Sequence, residues 1–166
     1  MKHFLYILGT PGVGKITVAR LLEKELGWRV FWFHDIKNAV TDIVEDRRIP
    51  RLMDEVTTPI LKYMLAKDEN VIYVRPSADR ETVEHVRDLV AQYPGYQFRP
   101  VRLLASYETL VARVTARKDP YRIQDKAGLD DYMKRGINKI DGELEVDTDE
   151  LTPEQVAKAV LKGLKL

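Results

Sequence analysis

The chain has 166 residues, of which 45% are hydrophobic and 32% charged, and its formal net charge is +1. This balance is typical of one soluble globular domain, and no apolar run is long enough to cross a bilayer, so we expect a cytoplasmic protein with a single domain over residues 1–166 and no membrane partner. The absence of cysteine excludes disulfides, thiolate metal ligands and a cysteine nucleophile, and the three histidines lack the spacing of a zinc motif.

Short apolar runs alternate with helical patterns from one end of the chain to the other. The apolar runs predict strands at residues 3–8, 29–33, 71–74, 99–105 and 143–147. Apolar residues at helical spacing predict helices at 13–26, from 36 onward, at 58–67, around 83–89, from 107 onward, at 129–135 and from 153 onward. Three of these helices have capping signals at their starts: Thr58 before Pro59, Ser106, and Thr152 with Gln155.

Strands that alternate with helices are joined by right-handed parallel crossovers. The sequence therefore predicts an α/β fold, a three-layer α/β/α sandwich with about five mostly parallel strands. In such sheets, ligands bind beyond the carboxyl ends of the strands, and the turn after the first strand is a favoured position.

The segment GTPGVGKIT, residues 9–17, follows the first predicted strand. Its Gly9, Gly14 and Lys15 match a phosphate-binding loop, but Ile16 stands where that pattern requires Ser or Thr. Glycines allow backbone N–H groups to surround a phosphate, and the lysine adds a positive charge. A tight strand-to-helix turn without a ligand is the alternative. The residues predicted to bind nucleotide are Gly9, Thr10, Pro11, Gly12, Val13, Gly14, Lys15, Ile16 and Thr17.

The stretch GTPGVGKITVARLLEKELG resembles the loop and first helix of the small P-loop kinases. This group includes adenylate, cytidylate and shikimate kinases and the kinase domain of polynucleotide kinases. The resemblance covers most of the chain in its order of elements, and its pattern is closest to the polynucleotide-kinase-like enzymes. It implies a P-loop kinase fold with ATP and Mg²⁺ as cofactors.

A carboxylate follows the second strand in FHDIKNAV. Asp35 there resembles the acidic residue of polynucleotide-kinase-like enzymes that takes the proton from the acceptor hydroxyl. The alternative is an N-cap aspartate, which needs no catalytic role. Both roles can hold together.

The segment LVARVTARKDPYR resembles the lid of these kinases, where arginines close over ATP. Arg113 and Arg117 are four residues apart, so we expect them to share one helix face, and Arg122 is a weaker candidate. The alternative is a solvated helix surface. The resemblance thus implies that Lys15, Asp35, Arg113 and Arg117 are catalytic and that both arginines also bind ATP.

The closing segment ELEVDTDELTPEQVAKAVLKGL resembles the cytidylate-kinase type and implies that residues 147–151 lie near adenine.

Two departures from the family pattern concern magnesium. Ile16 supplies no oxygen where a Ser or Thr ligand is usual, and it either packs into the fold or fills space that a hydrated metal needs. Arg75 ends VIYVR near the position where many P-loop proteins place a carboxylate. In adenylate kinases the loop reads Gly-Lys-Gly-Thr, and Thr17 matches the Thr that meets the α-phosphate there. We assign no metal ligand and expect nucleotide binding to survive better than turnover.

An acceptor site is predicted from Asp35 together with Arg75 and Arg80 of RPSADR. The two arginines could hold an acceptor phosphate by bidentate contacts, or they could be ordinary surface arginines.

The leading hypothesis is an ATP-dependent kinase that moves the γ-phosphoryl group to a hydroxyl of a nucleic acid, either a DNA or RNA 5′ end or a hydroxymethylated base. A nucleoside monophosphate kinase or a small-metabolite kinase is the alternative. From a different class, the chain could be a nucleotide-binding protein whose turnover is impaired or lost because of Ile16.

Overall fold

Five strands and seven helices are present in the computed structural model, which describes residues 1–44, 50–75, 80–134 and 139–166. Along the described chain they are β1 (Lys2–Leu8), α1 (Lys15–Leu26), β2 (Arg29–Trp32), α2 (Phe33–Val44), α3 (Pro50–Ala66), β3 (Val71–Val74), α4 (Arg80–Ala91), β4 (Tyr96–Leu104), α5 (Tyr107–Thr115), α6 (Lys126–Met133), β5 (Leu144–Asp147) and α7 (Pro153–Leu164). None of the helices described is long and apolar enough to cross a membrane.

Strand β1 lies at the centre of one sheet, in the order β2-β3-β1-β4-β5. All four neighbouring pairs are parallel, and Ile7 of β1 is level with Val74 of β3 and with Val101 of β4. The carboxyl ends of the strands therefore meet at one edge of the sheet. The strand order reverses beside β1, which places the loop after β1 at the usual ligand position of such sheets.

Both faces of the sheet are buried. Leu5 and Ile7 of β1 belong to a core that includes residues of α1 and α7. Phe4 and Tyr6 of the same strand belong to a second core that includes residues of α3 and α4. The two central strands β1 and β3 are thus almost continuous apolar runs, as expected for the middle of a parallel sheet that is covered on both sides. The predicted three-layer α/β/α sandwich is confirmed.

Two helix starts differ from the prediction. Helix α3 begins at Pro50, so Thr58 is not its N-cap and Pro59 lies inside the helix. A proline there removes one backbone hydrogen bond, but Leu61 and Leu65 are almost fully buried and hold this part of α3 on the sheet. Tertiary packing therefore outweighs the local capping signal.

Helix α2 begins at Phe33, which the sequence had placed in strand β2. Phe33 is buried in the second core, and Asp35 consequently lies in the first turn of α2 and not at its N-cap. A carboxylate in a first turn is favoured by the helix dipole. Two predicted segments, residue 135 at the end of a helix and residues 76–79 within RPSADR, lie outside the described residues.

Two capping predictions are confirmed. The Ser106 hydroxyl accepts a hydrogen bond from the backbone N–H of Thr109 at the start of α5. At the start of α7, Thr152 and Gln155 each accept a hydrogen bond from the other's backbone N–H and form a capping box.

A buried ion pair joins β4 to the chain that enters β5. Arg102 binds both carboxylate oxygens of Glu143, from Nε at 2.9 Å and from Nη2 at 2.8 Å. The two side chains are only 4% and 0% exposed. Removing one partner of such a pair leaves the other charge buried without its counter-ion.

We expect Glu143→Ala to lower the free energy of unfolding by about 3 to 5 kcal/mol, because Arg102 stays buried after its carboxylate is removed. Urea unfolding followed by circular dichroism measures the change. Glu145→Ala, which removes a half-exposed carboxylate paired with Lys139, is the control and should change stability by less than about 1 kcal/mol. Equal effects of the two variants would contradict a structural role for the buried pair.

Candidate functional site

The loop between β1 and α1 lies directly against the end of β4. Gly9 has a φ of +142°, and a Cβ added there would come within 2.6 Å of the backbone oxygen of Leu103. Glycine is required for this close approach. Gly14 is the N-cap of α1 with a φ of 94°, and no described atom lies within 4 Å of an added Cβ. The first turn of α1 begins here, and N–H groups at a helix start have no acceptor within the helix, so they can bind an anion.

Lys15, the first residue of α1, turns back over the loop. Its Nζ donates hydrogen bonds to the backbone oxygens of Gly9 and Thr10, both at 2.7 Å. Burial, together with repulsion by Arg117 and Arg122, lowers the pKa of Lys15 from 10.5 to about 7. An anion bound next to Nζ would favour the protonated amine.

Of the other side chains in the predicted loop, some pack against the core and some are exposed to solvent. Val13 is buried in the core beneath α1, and Ile16 packs against the same core. Thr17 is exposed. Of the two interpretations of Ile16, the structure supports packing, and its hydrocarbon side chain offers no oxygen to a ligand.

The first turn of α2 adds His34 and Asp35 to the same edge of the sheet. Asp35 is exposed. His34 is partly buried, and its Nδ1 has no hydrogen-bond partner among the described residues. Burial lowers the pKa of His34 to about 2, and four positive charges also lower it. These charges belong to Arg122, Lys37, Lys15 and Arg117, which we call the basic cluster.

Arg122, in the segment between α5 and α6, has two unpaired nitrogens. Its side chain is 12% exposed, and its Nε lies 3.4 Å from a carboxylate oxygen of Asp119. Its Cζ lies 4.4 Å from the ring centroid of Trp32, the last residue of β2. Nη1 and Nη2 are buried, and neither has a hydrogen-bond partner within the described part of the chain. Because buried donors are almost always paired, these nitrogens are available to an acceptor that the described part of the chain does not supply.

The two predicted lid arginines do not share a helix face, because α5 ends at Thr115. That part of the prediction was wrong. Arg117 lies beyond the helix end, and its backbone N–H donates to the Val114 oxygen at 3.3 Å. Its charge lowers the pKa of Lys15, so Arg117 does lie with the loop.

Arg113 instead holds the segment that follows β5. Its Nη1 and Nη2 donate to the hydroxyl and backbone oxygens of Thr148, at 2.9 and 2.8 Å. The neighbouring Asp149 accepts the backbone N–H of Ser106 with both carboxylate oxygens, at 2.9 and 3.0 Å. Residues 147–151, which the sequence assigns to a nucleobase, are therefore tied to α5, and the side chain of Leu151 is 37% exposed there.

The predicted acceptor arginines have different surroundings. Arg75 is 5% exposed and is not a surface arginine. It binds Asp54 of α3 at 2.5 Å, and its Cζ lies 4.5 Å from the ring centroid of Phe33. Arg80 is exposed at the start of α4 and pairs with Glu84 at 2.6 Å. A shared acceptor site for these two arginines stays a prediction.

The donor set at the loop does not fit a metal held by protein side chains. Ile16 has no oxygen, and the residue that ends β3 is followed by Arg75, a cation that pairs with Asp54. Nowhere in the described ranges do three or more His, Asp or Glu side chains form a group that could hold a metal ion. The same edge does fit an anion, because the basic cluster, the start of α1 and the unpaired nitrogens of Arg122 converge there.

No family model matches the chain, and no curated protein matches it. Solved structures with a similar fold include a sugar kinase from Janibacter sp. HTCC2649, with a TM-score of 0.72 and 19% identity over 99% of this chain and 95% of that chain. A gluconokinase from Sinorhizobium meliloti 1021 has a TM-score of 0.72 and 16% identity over 98% of this chain and 91% of its own.

A shikimate kinase from Aquifex aeolicus is also similar, with a TM-score of 0.67 and 21% identity over 97% of this chain and 95% of that chain. At these identities the likeness shows the fold alone. The chain thus has the α/β fold of small P-loop kinases, and the predicted fold class is confirmed.

The lowered pKa of Lys15 makes stability depend on pH. Between pH 7 and 10.5, the unfolded chain binds a proton at Lys15 that the folded chain does not, so the free energy of unfolding rises with pH in this window, by at most about 1.4 kcal/mol per pH unit. We expect Lys15→Met to remove this rise in urea unfolding at pH 7 and pH 9. The exposed Lys24 of the same helix provides the control Lys24→Met. The same change of slope in both variants would argue against a buried Lys15.

Proposed function

We propose that the chain is an enzyme that transfers the γ-phosphoryl group of ATP to a hydroxyl group of a small metabolite. The observation that carries this proposal is the pair of buried, unpaired nitrogens of Arg122 next to the loop and its Lys15. A phosphate supplies acceptors for both nitrogens at once, as bidentate arginine contacts do. The fold shared with kinases supports a phosphotransferase, and the presence of a sugar kinase, a gluconokinase and a shikimate kinase among the similar structures supports a small acceptor.

The chemistry needs a positioned phosphate chain and a base for the acceptor. The N–H groups of the loop and of the first turn of α1 would bind the phosphates, with Lys15, Arg117 and Arg122 around the transferred group. Asp35, exposed beside Arg122, would accept the proton of the acceptor hydroxyl. The acceptor oxygen then bonds to the γ-phosphorus while the bond to the β,γ-bridging oxygen breaks, and ADP leaves.

The predicted Mg²⁺ would arrive with the nucleotide, because its phosphate oxygens and waters can complete the coordination shell without a protein ligand. A metal carried in that way would only add to the positive charge that the protein itself supplies at the phosphates.

The nucleic-acid acceptor remains a prediction, and the sugar kinase, gluconokinase and shikimate kinase that share the fold do not support it. An assay with labelled ATP distinguishes the acceptor classes: sugars, sugar acids and other small alcohols, nucleoside monophosphates, and DNA or RNA with a free 5′-hydroxyl or hydroxymethylated bases. We expect transfer to a small alcohol. Transfer to nucleic acid alone would overturn the small-metabolite proposal and leave the kinase proposal standing.

A second candidate function is nucleotide binding without turnover. It is favoured by Ile16, which packs against the core and brings no oxygen to the loop. This candidate predicts ATP binding in calorimetry with no transfer to any acceptor, and turnover that depends on Lys15 would eliminate it.

Asp35→Asn should lower the rate of transfer by about 10²- to 10⁴-fold, because the amide cannot accept the acceptor proton. The binding of ATP should be retained, since Asp35 is not placed to bind the phosphates. Asp88→Asn, an exposed substitution on α4, is the matched control. An unchanged transfer rate in Asp35→Asn would remove this residue from the mechanism.

Ile16→Thr should raise magnesium-dependent transfer, because its hydroxyl supplies the oxygen that the phosphate-binding pattern expects. Initial rates over a magnesium titration, for wild type and variant, test this expectation. If the variant folds and binds ATP but gains no rate, Ile16 is only a packing residue and the metal is held well enough without a hydroxyl.

A further inference from the structure

We propose that the basic cluster takes over the neutralisation of the phosphate charge, so that this chain binds ATP without a divalent cation. The inference rests on the proposed nucleotide site and goes beyond it, because it concerns the chemical form of the nucleotide that the site accepts. It arises from a disagreement between the donor set of this loop and the magnesium that the fold implies.

The first observation is the lack of metal-binding oxygens on the loop side of the site. Ile16 directs hydrocarbon against the core. The position after β3 carries a cation, Arg75, and that cation already has a carboxylate partner in Asp54 at 2.5 Å. Neither residue offers an oxygen ligand to a metal ion.

The second observation is that four cations lie close to one another around His34. Each member of the basic cluster acts on the His34 ring, and Arg117 and Arg122 also repel Lys15. Among the carboxylates, Asp119 and Asp35 act on Arg122. Repulsion of this kind is unfavourable in the free protein and is relieved when a polyanion binds.

The third observation is that the cluster has donors ready for phosphate oxygens. Stacking on Trp32 and the contact with Asp119 hold the Arg122 guanidinium in one orientation. Nη1 and Nη2 are left for a ligand, since no described residue accepts from them. A preorganised guanidinium in a partly buried site binds phosphate more strongly than an exposed one. In a site with a protein-held metal, the phosphate oxygens that Arg122 would bind are shared with the metal ion.

The test is isothermal titration of the full chain with ATP, once in EDTA and once in excess Mg²⁺. We expect the two dissociation constants to agree within about threefold, or the metal-free one to be lower. Magnesium that tightens binding by more than about tenfold would overturn the proposal. Failure to bind ATP in either buffer would instead overturn the proposed function.

Two variants strengthen the test. Arg122→Met should weaken metal-free binding by about 10- to 100-fold, because a charge-assisted contact to phosphate is lost. Its matched control is Arg29→Met, which removes an exposed arginine paired with Glu69 at the amino end of β2 and should leave binding unchanged. If Arg122→Met and Arg29→Met bind metal-free ATP equally well, the basic cluster does not carry the phosphate charge.

Ile16→Thr supplies the opposite change. Its added oxygen should make magnesium tighten ATP binding relative to EDTA, whereas wild type shows little difference. Circular dichroism melts confirm that each variant is folded. If the ratio of the two dissociation constants is the same in wild type and Ile16→Thr, the donor set at residue 16 does not control the metal requirement, and the proposal fails.

Discussion

The contact between Gly9 and the backbone of β4 determines where the site lies. Because the added Cβ would meet the Leu103 oxygen at 2.6 Å, the chain can turn off the central strand only with a glycine there. That turn directs the start of α1 over the carboxyl edge of the sheet and puts Lys15 above the loop oxygens. Two other segments contribute residues to the same edge of the sheet. The first turn of α2 carries Asp35, and the chain between α5 and α6 carries Arg122, which stacks on Trp32.

The fold could be predicted because its signals are local and agree with one another. Apolar runs such as residues 3–8 are buried on both faces of a parallel sheet, and no other arrangement in water covers them as well. The errors fall at helix ends, where packing outweighs local preference. Pro59 looks like a helix start, yet burial of Leu61 extends α3 on both sides of it. Phe33 looks like a strand residue, yet it starts α2 because the second core accepts its ring.

The site could be predicted only where its residues are neighbours in sequence. The loop and Asp35 follow directly from the ends of the first two strands. Arg113 was assigned to the lid because its segment resembles the lid of small P-loop kinases. Its hydrogen-bond partner, Thr148, is distant in sequence and could not be inferred from that pattern. Arg122 and His34 gain their importance from burial and from charges brought by other segments. In the sequence, Arg122 was only a weaker candidate for the lid, and His34 was not selected although it lies beside Asp35.

Ile16 meets two physical demands that oppose each other. Its side chain adds hydrocarbon to the core beneath α1, and replacing part of that hydrocarbon with a hydroxyl weakens the packing by about 1 to 2 kcal/mol. The same replacement is what would give the loop an oxygen for a metal. The stability of the fold and the metal preference of the site are therefore linked at this one position. With Ile at residue 16, the core is better packed, but the positive charge at the phosphates has to come from other residues. With Thr, the loop gains a metal ligand and the fold loses stability.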